Sequence, residues 1–96
     1  TTYGEIVSIN KINNYSAMNN KIVLLENADP GYDFIFLYNI KGLITEYGGS
    51  NSHMSIRCLE LGVPAIIGVG SREFKFISKK NLIEINCKQK YYKILN

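Results

Sequence analysis

The chain has 96 residues, 46% of them hydrophobic, 20% charged and 11% aromatic, with a formal net charge of +3. A chain of this length folds to a radius of gyration near ~12 Å and buries roughly 60–65% of its unfolded surface. That allows one core and excludes a two-lobed kinase, dehydrogenase or ATPase; the composition excludes disorder and collagen-like structure. No apolar run approaches the roughly 18–20 residues of a membrane span, and Thr1-Thr2-Tyr3-Gly4-Glu5 is not a secretory leader. The expected setting is cytoplasmic, with no membrane partner. The first residue is Thr1 rather than Met, as expected of one domain cut from a larger protein.

Gly4 to Asn10 alternates and carries β-branched residues, so a strand is predicted there. Lys11 to Asn20 is polar and Asn-rich and reads as a loop. Lys21 to Glu26 (K-I-V-L-L-E) is a continuous apolar run, the pattern of a strand buried on both faces. Ala28-Asp29-Pro30-Gly31 is a turn. Tyr32 to Asn39 fits helix or strand, and a short helix is preferred. Gly42 to Thr45 is a further strand, and Glu46 to Asn51 a Gly-Gly loop.

Ser52 to Leu61 (S-H-M-S-I-R-C-L-E-L) is the clearest helix, with Ser52 as its cap. Gly62 stops it and Pro64 prevents its resumption. Ala65 to Ile67 is a short strand that ends at Gly68-Val69-Gly70, after which no helix is expected. Leu82 to Asn86 and Tyr91 to Leu95 are two more strands. Short strands with one clear helix give an α/β class.

The cysteines, Cys58 and Cys87, read as reduced thiols, with Cys58 in the core. One His and two scattered Cys make no zinc site. Residues 1–70 carry four basic and six acidic side chains, and residues 71–96 seven basic and two acidic, so charge is −2 and then +5. The basic quarter reads as a solvated, lysine-rich face that protects sheet edges. No nucleic-acid signature accompanies it, and no nucleic-acid partner is expected.

Chemistry concentrates in Thr45-Glu46-Tyr47-Gly48-Gly49-Ser50-Asn51-Ser52-His53, directly after a strand and directly before a helix. Glycines let backbone N–H groups approach an anion closely. The first helical turn offers free N–H groups and the positive end of the dipole, about 0.3–1 kcal/mol toward a bound anion. The same field disfavours imidazolium and leaves a neutral ring with a lone pair, as a nucleophile requires. The plain alternative is a surface or capping histidine. The nucleophile-elbow, dinucleotide and phosphate-loop motifs are all absent.

Thr45 to Gly68, T-E-Y-G-G-S-N-S-H-M-S-I-R-C-L-E-L-G-V-P-A-I-I-G, resembles the signature of the phosphohistidine (mobile, swivelling) domain of PEP-utilizing enzymes, the group of pyruvate phosphate dikinase and phosphoenolpyruvate synthase. Thr45, Gly48, Gly49, Ser52, His53, Ile56, Glu60, Gly62, Pro64, Ala65 and Gly68 fall in register with the family pattern without a gap. The resemblance implies a swivelling β/β/α sandwich with mixed short-stranded sheets, its helix starting at the Gly-Gly-x-x-Ser-His loop. It implies one phosphohistidine domain over residues 1–96. His53 is then the phosphoryl acceptor, at its distal nitrogen, and Thr45, Gly48, Gly49, Ser52 and Arg57 the phosphate cradle. Donor and acceptor lie on partner domains, one binding nucleotide and one binding the acceptor or PEP. ATP and Mg²⁺, or PEP, are expected there, and no cofactor in this domain. The family's Ala-Arg pair before Glu is Cys58-Leu59 here, so its phosphate-holding Arg is missing. Arg57, one turn beyond His53, lies on the same helical face and stands in for it or remains a solvated charge. Glu60 is expected to make a structural hydrogen bond or ion pair rather than to take part in chemistry. A second reading is a silent member of the fold that binds anions or docks domains.

Overall fold

The computed structural model describes residues 2–27, 30–48, 53–86 and 91–95. The strands are β1 (Thr2–Ser8), β2 (Ile22–Asn27), β3 (Gly42–Tyr47), β4 (Ala65–Ile66), β5 (Leu82–Asn86) and β6 (Tyr91–Ile94). Two α-helices, α1 (His53–Leu61) and α2 (Ser71–Ser78), and two 3₁₀ segments, Tyr15–Met18 and Pro30–Leu37, complete the described chain. All six strands form one curled sheet in the order β4-β3-β2-β1-β5-β6. The first four are mutually parallel; β5 runs antiparallel to β1, and β6 antiparallel to β5. β1 is shared along its length: Thr2 to Glu5 pair with β5, and Ile6 to Ser8 with β2.

The uninterrupted apolar run of β2 has its physical reason in two cores. Val23 and Leu25 face one cluster with Leu43, Ile35, Met54 and Cys58. Ile22 and Leu24 face the other with Ile44, Phe74, Ile77, Ile83 and Ile85. A strand's side chains alternate between faces, so a strand covered on both sides needs apolar residues at every position. The second 3₁₀ segment and α1 cover the first face; α2 and the β5–β6 wing cover the second. The mixed α/β sandwich expected from the sequence is therefore present.

Two local readings change and one is made specific. Tyr15–Met18 forms a 3₁₀ turn inside the expected polar loop, because the Asn14 side chain accepts from the Ser16 N–H and Met18 is buried. The segment Pro30–Leu37 is the short helix preferred from the sequence, in 3₁₀ form. The helix α2 was not expected at all. It starts at Gly70, whose carbonyl accepts from the Phe74 N–H at 2.9 Å, and buries Phe74 and Ile77. The Asn86-Cys87-Lys88-Gln89 turn and the Cys87 thiol fall largely on residues outside those described, while Cys58 is buried. Among the described residues no helix is long and apolar enough to cross a membrane.

The α2 packing is checked by equilibrium urea unfolding. Ile77→Ala, at a fully buried position, is expected to cost about 2–5 kcal/mol. Phe76→Ala, at a half-exposed position, is expected to cost less than about 1 kcal/mol.

Candidate functional site

The second 3₁₀ segment leaves the C-terminal end of β2, and the His53 loop leaves that of β3. These strands are parallel neighbours, paired as far as Asn27 with Tyr47, so the two connections exit side by side. Open parallel sheets place their sites at such carboxyl ends.

β3 ends in a clamp. The Thr45 carbonyl accepts from the N–H groups of Gly68 at 3.1 Å and Val69 at 3.0 Å. The Thr45 hydroxyl also accepts from Gly68 N–H, at 3.0 Å, and the Glu46 carbonyl from Gly70 N–H at 3.0 Å. Thr45 is fully buried, and its hydroxyl is engaged by the Gly68 backbone N–H. Gly68 adopts φ +74°, and a Cβ there would lie 2.5 Å from the Gly48 carbonyl oxygen. Gly48 itself adopts φ +127°. Two glycines are thus required where the His53 loop crosses the exit of β4. Gly49 and Ser52, with the cap expected of Ser52, lie outside the described residues.

His53 is the first residue of α1. Met54 and Cys58, one turn apart, are buried and fix the helix on the sheet. Its C-terminus is a Schellman closure: Val63 N–H donates to the Cys58 carbonyl at 2.9 Å and Gly62 N–H to that of Leu59 at 3.4 Å, with Gly62 at φ +71°. With Met54 and Cys58 inward, His53 and Arg57 share the face beside the 3₁₀ segment.

There they meet Asp33, a residue the sequence reading did not single out. His53 Nε2 stands 2.9 Å from Asp33 Oδ1, and Arg57 Nε donates to the same oxygen at 3.2 Å. Arg57 Nη1 lies 3.7 Å from Glu60 Oε1, the ion pair expected of Glu60. The guanidinium also lies over the Phe36 ring, 5.5 Å from its centroid, a cation–π contact. The His53, Asp33 and Arg57 side chains are 41%, 43% and 34% exposed, so the cluster is open to a large partner. The hydrogen bond with His53, and then Arg57, hold the Asp33 carboxyl below the ordinary carboxylate value, against an opposing effect of burial. Asp33 carried one signal in sequence: it is the only charge in the aromatic run Tyr32 to Tyr38. A carboxylate among such neighbours calls for a cationic or hydrogen-bonding partner.

Residues 17–90 match the model of the PEP-utilising enzyme mobile domain. The chain belongs to that family. It is 34% identical over 74 residues to a rifampicin phosphotransferase of Bacillus cereus, and 33% identical over 73 residues to that of Bacillus subtilis. These matches cover 77% and 76% of this chain and 8% of each relative, so the chain spans a small part of the length of the curated relatives it matches. As a mobile domain of this family, the chain is a phosphotransfer-related module.

Gly68→Ala is expected to lower stability by about 1–3 kcal/mol, from left-handed strain and the contact with Gly48, read by urea unfolding. A lowered native pKa means that the unfolded chain takes up the Asp33 proton first as pH falls. The stability Asp33 supplies is therefore complete above the ordinary carboxylate value and is lost as pH falls through the lowered one. Wild type and Asp33→Asn are expected to differ in urea midpoint at neutral pH and to converge in strong acid.

Proposed function

We propose that this domain is a phosphoryl carrier. His53 accepts a phosphoryl group from ATP at a nucleotide-binding domain, or from PEP, and delivers it to an acceptor at another site of a longer protein. The observation that carries this reading is a single, half-exposed histidine at the first position of α1, beside a two-glycine crossing and an arginine. A carrier needs a nucleophile and a place for an anion; the donor and acceptor sites lie on partner domains.

The distal nitrogen, Nε2, is the ring nitrogen farther from the backbone and, once clear of Asp33, the one that attacks the phosphorus of an incoming donor in line. Its lone pair forms the N–P bond while the donor's P–O bond breaks, and the leaving oxygen takes that electron pair. A proton remaining on Nδ1 passes to water. The new phosphoryl group meets the positive end of α1, and Arg57 supplies a formal charge beside it. Catalysis of this kind is positioning and electrostatics. Mg²⁺ belongs with the nucleotide at the donor domain and neutralises phosphate charge there.

The test uses the full-length protein that carries this domain, with labelled ATP or labelled PEP. Acid-labile, alkali-stable label on His53 is expected, absent from His53→Ala. An unlabelled His53 with either donor overturns the reading and favours a docking or anion-binding module. Arg57→Ala is expected to slow labelling roughly three- to tenfold, the scale of one partly exposed charge-assisted contact.

A further inference from the structure

We propose that Asp33 is a positioning residue that gates His53: it holds the unloaded ring with its proton on Nε2 and must release it before Nε2 can attack phosphorus. The proposal rests on the carrier reading and deepens it. It follows from the chemistry of the 2.9 Å contact between His53 Nε2 and Asp33 Oδ1. An ionised carboxylate only accepts hydrogen bonds, so the ring nitrogen facing it is the N–H. In this arrangement Nε2 has no free lone pair, and the carboxylate oxygen occupies the direction from which a phosphorus atom would approach. A formal negative charge there also repels the donor's phosphates.

Release has a defined route. The ring swings off Asp33 into the open side of the cluster. The proton leaves Nε2 for water while Nδ1 takes one up, giving the Nδ1–H tautomer without net change. Nε2 then carries the lone pair for the N–P bond described above. Arg57 prevents Asp33 from being left as an isolated charge, because its Nε already donates to the same carboxylate oxygen at 3.2 Å. Once loaded, the phosphoryl group competes with Asp33 for that guanidinium, so phosphohistidine and the Asp33 contact exclude each other. His53 does not return to Asp33 until the group has been passed on.

Two measurements test the gate. The chain has a single histidine, so its ¹⁵N ring resonances are unambiguous. At a pH where the ring is neutral, the wild-type chain is expected to hold the Nε2–H tautomer and Asp33→Ala to relax toward a mixture. A wild-type ring with its proton on Nδ1 overturns the proposal. The second measurement is the rate of His53 labelling in the full-length protein. Asp33→Ala is expected to label roughly three- to tenfold faster than wild type, the range set by losing one partly exposed charge-assisted hydrogen bond. Asp33→Asn, whose carbonyl oxygen still accepts from Nε2–H, is expected to fall between them. Wild-type labelling with an unchanged or slower Asp33→Ala overturns the gate and leaves the carrier intact. No wild-type labelling removes the carrier and the gate together.

Discussion

Thr45 holds the end of β3 through both of its oxygen atoms, and the geometry of the site follows from that clamp. Its carbonyl and hydroxyl receive the N–H groups of Gly68 and Val69, so the strand leading to His53 and the segment leaving β4 meet backbone to backbone. The hydroxyl is buried and satisfied, as a buried polar group must be. The approach is close enough that Gly68 has no room for a side chain against Gly48. The same stretch, through Gly70, starts α2, which seals the opposite face of the sheet. One contact region therefore sets where the histidine loop begins and how the second core closes.

The charges above this clamp balance locally. Asp33 meets His53 and Arg57, and Arg57 meets Glu60. Each group is more than a third exposed, so solvent screens these pairs and each adds little stability. Their value is geometric: they hold one ring and one guanidinium in a set orientation on a rigid helix. Breaking any one of these exposed, exchangeable pairs costs little, which suits the proposed carrier role.

Legibility in the sequence followed how local each constraint was. The K-I-V-L-L-E run reported two-sided burial because strand alternation turns a double core into a continuous apolar string. The His53 helix and its Gly62 stop were legible because caps are local chemistry, and the closure at Cys58 and Leu59 is written in one turn of chain.

 The helix α2 was hidden because only Phe74 and Ile77 of its eight residues reach the core, too few to raise a helical period above the exposed Phe76 and the surrounding charges. Asp33 was hidden for a different reason. Its partners lie 20 and 24 residues away, and they meet only because β2 and β3 are parallel neighbours whose exits adjoin. The family pattern marked the histidine and the glycines, but it carried no information about a carboxylate supplied by the preceding connection.

The central claim is that His53 carries phosphorus covalently. Phosphorus-31 NMR of the full-length protein, ¹⁵N-labelled in its histidines and loaded from ATP or PEP at alkaline pH, tests it most directly. The account predicts a phosphoramidate signal coupled to the Nε2 resonance of His53 and lost on mild acidification. Turnover of the donor with no phosphorus–nitrogen coupling at His53 would contradict it.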